Sequence, residues 1–125
     1  MRIGQVVLRV TDMERSLQFW GAVFGLEIKS RAGAFAFLDG GDIQLALNEI
    51  GRRVEDDSLT EIVFELDDIR AGYGELAARG VPFEVEPRAV MSDGSSELWA
   101  AHFHDPDGHL ASVVGWVEGE QPSAG

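Results

Sequence analysis

Three histidines, His102, His104 and His109, fall within eight residues of one another in the stretch FHDPDGHLASVVGW and its immediate neighbour. Imidazole either ligates a metal or moves a proton near neutral pH. Carboxylates are the natural partners for both tasks, and Glu61 and Glu65 lie on a segment with strand periodicity. Read as near neighbours on one strand face, they are expected about 7 Å apart, close enough to raise each other's affinity for protons or to hold a cation between them. Glu61 and His102 are therefore the candidate acid–base pair. Of the histidines, His102 is the one expected to face a ligand, whereas His104 and His109 flank a turn and are expected to be exposed.

That turn is Asp105-Pro106-Asp107-Gly108. Proline presets φ at its second position and glycine accepts a positive φ, so the tetrapeptide predicts a hairpin between a strand ending at His104 and one starting at His109.

The elements that must position these groups repeat. The segment QVVLRVTDMERSLQFWGAVFGLEI alternates as a strand, then places Met13, Leu17, Trp20 and Phe24 at helical spacing, with Thr11 and Glu14 as a capping box and Gly25 as the stop. The segment EIVFELDDIRAGYGELAARGVPF repeats the pattern, with Asp67 as cap, an apolar stripe at Ile69, Tyr73, Leu76 and Ala77, and Gly80 as the stop. The offset is a constant 56 residues, from Gln5 to Glu61 and from Asp12 to Asp68. Strand-like pieces follow each helix: 27–31, 34–38 and 42–48 in the first half, 82–86, 97–104 and 109–116 in the second. The predicted class is α+β: two tandem β-α-β-β-β modules, 1–50 and 60–117, whose curved sheets surround a concave cavity with the helices on the outer face. A polar tail, 118–125, is expected to be flexible.

Strand parity assigns the face away from the helices. It carries Gln5, Val7, Arg9, Gln44, Ala46, Asn48, Glu61, Val63, Glu65, Ala100, His102, Leu110, Ser112, Val114 and Trp116, a polar and apolar mixture suited to a small molecule. Trp20, Phe24, Phe64 and Phe103 read as core, the register of Phe35 and Phe37 stays open, and 92–96 reads as a lid or a hairpin loop, the loop being favoured.

Composition narrows the chemistry. No cysteine is present, which removes disulfides, thiolate catalysis and sulfur-ligated zinc. A formal net charge of −12 argues against nucleic acid and anionic membrane partners, both of which require a cationic footprint. No long apolar run suggests a membrane span and no secretory pattern opens the chain, so a cytoplasmic location is the expectation.

The opening module, its repeat at 60–83 and the closing HFHDPDGHLASVV together resemble the vicinal oxygen chelate superfamily, which contains glyoxalases, bleomycin-resistance proteins, fosfomycin-resistance enzymes and extradiol dioxygenases. The resemblance covers residues 1 to about 116. It implies metal ligands on the first and last strands of each module, and those positions here are Gln5, Ala46, Glu61 and Ser112. Only Glu61 is a good donor; Ala46 has nothing to offer, Ser112 is a neutral hydroxyl and Gln5 an amide. The expectation is therefore no metal and no cofactor, with a ligand site lined by Gln5, Arg9, Gln44, Glu61, His102, Ser112 and Trp116. The function it implies is bleomycin-resistance-like binding of an aromatic or cationic compound by a homodimer. The alternative is a lyase, isomerase or dioxygenase with an altered divalent metal site, or with Glu61 and His102 as acid and base; a collapsed cavity serving only association is a third reading.

Overall fold

The computed structural model describes residues 1–52 and 60–118; the expected tail beyond Glu118 lies outside the described residues. The chain divides into two units, 1–59 with 105–109, and 60–104 with 110–125. Each has the β-α-β-β-β order and a four-stranded mixed sheet, so the duplicated α+β architecture is as the sequence repeat implied.

In the first unit β1 (Gln5–Val10) pairs in parallel with β4 (Gln44–Glu49), which pairs antiparallel with β3 (Phe35–Asp39), and that in turn with β2 (Ile28–Ala32). Leu8 and Val10 of β1, Leu38 of β3 and Leu45 and Leu47 of β4 are buried on the helix side. Their partners are Met13, Leu17, Phe19, Trp20 and Phe24, which the 3.6-residue period brings to one side. The helix is not uniform. α1 spans Met13–Leu17 and passes into a π-helical segment, Gln18–Val23, before Gly25 ends it at φ 102°. The wider π turn still buries both Phe19 and Trp20, whose rings meet edge to face at 5.1 Å.

The helix start differs from the Thr11–Glu14 capping box. Asp12 is the cap, accepting from the Arg15 amide at 3.2 Å, and Glu49 of β4 reaches the Met13 amide at 2.6 Å. Thr11 is diverted because its amide and hydroxyl both donate to Asp107 Oδ1, at 3.1 and 2.7 Å. A charged acceptor outcompetes the local cap.

In the second unit the sheet order is β5 (Glu61–Glu65), β8 (Leu110–Glu118), β7 (Ser96–His104), β6 (Phe83–Ser92). α2 (Ile69–Arg79) is capped by Asp68, one residue beyond the expected Asp67, and ends at Gly80 with φ 106°. Ile69 and Leu76 of α2 and Val81 just after it are buried, as are Ala101 and Phe103 of β7 and Ala111 and Val113 of β8. β6 runs six residues past the expected 82–86, with three register shifts and Pro87 along its length. Bulges and proline are devices that blunt an edge strand against further pairing. The 92–96 segment is a tight hairpin loop and not a lid: Asp93 accepts from the Ser95 and Ser96 amides at 3.1 and 2.8 Å. These backbone amides, Ser96 first, hold the Asp93 carboxyl below its usual range.

Among the described residues no helix is long and apolar enough to cross a membrane.

Candidate functional site

The Asp105–His109 turn forms as predicted, closed by Gly108 N donating to Asp105 O at 2.9 Å, with Gly108 at φ 90°. Its chemistry, however, is structural. Asp105 has a wholly buried side chain that accepts from Trp20 Nε1 at 3.1 Å and from the amides of Asp107 and His109 at 3.0 and 2.8 Å. The His109 ring packs Nδ1 against the same carboxylate at 2.8 Å. His109 is thus mostly buried and engaged, not exposed as its place beside a turn suggested, because a buried carboxylate needs every donor within reach. The strand after it starts at Leu110. His104 is taken by Glu84, its Nδ1 lying 2.6 Å from Oε1 at the sheet surface.

His102 has a different partner. Its Nε2 is 3.2 Å from Glu61 Oε2, with the two side chains 24% and 34% exposed. The register explains how they meet. His102 of β7 stands opposite Ser112 of β8, while Glu61 of β5 stands opposite Leu110 of the same strand. Glu61 and His102 therefore come from strands on either side of β8, roughly 10 Å apart at the backbone. Their side chains close that gap beside buried Ser112, whose small size leaves room for the contact. His102 Nδ1 is buried without a hydrogen-bond partner. A protonated ring would bury an unpaired N–H there, so the favoured arrangement is a neutral ring donating Nε2–H to Glu61. That leaves the second carboxylate oxygen of Glu61 for a guest.

Glu65 does not join this pair. Four residues separate it from Glu61, not two, so the strand rise places their Cα atoms roughly 13 Å apart, with Val63 between. The expected close carboxylate pair fails on that count. Around Glu61 and His102 the same face is apolar: Val63 is 53% exposed and Trp116 45% exposed. Trp99, one position out of phase, points to the helix side, where the Arg70 guanidinium lies 5.1 Å from its ring centre.

The remaining expected site residues belong to the first unit. Gln5 stands opposite Gln44, Val7 opposite Ala46, and Arg9 opposite Asn48. Parity along β1 and β4 was therefore read correctly. The register of β3, open in the sequence, is now fixed: Phe35 faces Asn48 and Phe37 faces Ala46, so both rings share the face of Gln44 and Arg9. Sequence reasoning missed these two residues as site candidates because a five-residue strand after a glycine gives no phase of its own.

The metal question rests on the donor set. Of Gln5, Ala46, Glu61 and Ser112, one is a carboxylate, one lacks a donor and two are neutral. Among the described residues no three His, Asp or Glu side chains converge to hold an ion. These residues do not fit a divalent metal, which needs about three imidazole or carboxylate donors.

A duplicated β-α-β-β-β chain with open sheet faces defines a class, and the comparisons identify it. The sequence model of the glyoxalase/bleomycin resistance protein/dioxygenase superfamily matches residues 2–113. The chain belongs to that superfamily. Metallothiol transferase FosB of Lysinibacillus sphaericus is 28% identical over 116 residues, covering 86% of this chain and 77% of its own. The uncharacterized protein YraH of Bacillus subtilis is 25% identical over 127 residues, covering 90% and 97%. Among solved structures, a glyoxalase/bleomycin resistance protein/dioxygenase from Alicyclobacillus acidocaldarius superposes with a TM-score of 0.77 at 16% identity, over 94% of this chain and 92% of its own. One of the same description from Nocardioides gives 0.75 at 24%, over 98% and 87%. At these identities the two structures establish fold alone.

Proposed function

We propose that the protein is a small-molecule-binding member of its superfamily that captures a cationic or aromatic compound without a metal. The observation that supports this reading is the Glu61–His102 contact at 3.2 Å, set among exposed Val63 and Trp116. An ionised carboxylate steadied by one imidazole is an acceptor for an ammonium or amidinium group, and an exposed indole offers a stacking surface. Gln5, Arg9, Gln44 and Ser112 complete the set of proposed ligand-lining residues. The metal-dependent transfer named for the FosB relatives is not carried over, because the donor set departs from it at Gln5, Ala46 and Ser112. The proposed assembly is a homodimer and the proposed location the cytoplasm.

Calorimetric titration with paired cationic and neutral arenes, on wild type and Glu61→Gln, tests the reading. Cationic arenes should bind, and Glu61→Gln should weaken them about tenfold or more. Absence of heat with every compound, together with stoichiometric metal in the purified protein, overturns it.

The same contact favours a second reading. Glu61 and His102 lie within proton-transfer distance, so a bound compound with an acidic C–H or O–H would meet a base with its supporting imidazole. An activity lost in both Glu61→Gln and His102→Ala, and insensitive to chelators, would establish that reading.

A further inference from the structure

We propose that the open face of the first unit is a binding surface for a planar aromatic carboxylate, with Phe35 and Phe37 holding the ring system and Arg9 the acid group. Three rows of side chains cross this face. Gln5, Gln44 and Asp39 form one, Val7, Ala46 and Phe37 the next, and Arg9, Asn48 and Phe35 the last. The Phe35 and Phe37 rings are nearly parallel, 6° apart in plane with centres 6.1 Å from each other. They differ from the core aromatics Trp20 and Phe103, which are fully buried: Phe35 keeps 38% of its surface in solvent and Val7 beside them 43%. Aligned, partly exposed rings next to an exposed aliphatic group form a stacking surface.

Charge decides the chemistry of the guest. Asp39, the one acid in these rows, is already engaged by Lys29 at 4.0 Å and by the Gly41 amide at 2.9 Å. Arg9 at the opposite end is exposed and has no ion-pair partner among the described residues. The face thus ends in an uncompensated guanidinium, in a chain whose net charge is −12. Two strand spacings separate Arg9 from Phe35, roughly 10 Å, about the length of a two-ring arene with a carboxylate. The guanidinium fork and the Asn48 amide supply donors to that carboxylate.

Titration with 2-naphthoate, 2-naphthalenemethanol and 2-naphthylmethylamine, followed by calorimetry and amide chemical shifts, tests the assignment. Naphthoate should bind at least tenfold more tightly than the alcohol and shift the amides of β1, β3 and β4. Arg9→Met should remove that preference while leaving the alcohol's affinity unchanged, and Phe35→Ala should weaken both about fivefold. Phe35→Leu, which keeps apolar bulk, guards against loss of fold, and melting curves must match wild type. Equal affinity for the acid and the amine, or indifference to Arg9→Met, overturns the assignment. So does a dimer, seen by sedimentation, that dissociates in Phe35→Ala while naphthoate fails to bind, because the face is then covered by a second copy.

Discussion

The indole Nε1 of Trp20 donates to Asp105 Oδ2 at 3.1 Å, joining residues 85 apart in sequence inside the first unit. Both groups are buried, with Trp20 fully inaccessible. Their removal is therefore costly in opposite ways. Trp20→Phe takes one donor from a buried carboxylate and leaves a void, and should destabilise by about 2–4 kcal/mol in urea unfolding. Asp105→Ala should cost at least as much, because it leaves the indole and two backbone amides without an acceptor.

Gly115 of β8 allows α2 to approach closely. A Cβ there would lie 2.8 Å from Ile69 Cβ and 3.2 Å from the Leu66 carbonyl oxygen. Gly115→Ala should lower stability by about 1–3 kcal/mol through overpacking, measurable as a lower melting temperature. An unchanged melting temperature would mean the helix can shift without cost.

Asp93 makes a pH prediction with a definite sign. Its carboxyl is held below the model value of 3.8 in the folded chain, so the charged form favours folding. The contribution is present above the unfolded value and is lost as pH falls through the lower folded one. The stability gap between wild type and Asp93→Asn should be constant from neutral pH down to about 5 and disappear in strong acid. A gap independent of pH would refute it.

Ser112 gives a gain-of-function test of the donor argument. It stands opposite His102 and beside the Glu61–His102 contact. Ser112→Glu would add a carboxylate to an imidazole and a carboxylate, the donor number a divalent ion requires. Wild type should show no stoichiometric zinc uptake and no change in melting with chelator. The variant should bind zinc at least tenfold more tightly, read by a zinc-dependent rise in melting temperature.

The repeat at an offset of 56 residues determined the two β-α-β-β-β modules, and strand parity placed Glu61, His102, Ser112 and Trp116 on one face and Gln5, Arg9 and Gln44 on another. Those facts are local: period and turn chemistry are written in neighbouring residues. The contacts were not. Thr11 left its expected cap for Asp107, and His109 turned inward to Asp105, because buried carboxylates select their donors from whatever the fold brings near. Only tertiary structure decided that Glu61 reaches across β8 to His102 while Glu65 does not, since that choice depends on inter-strand register, not on order along the chain.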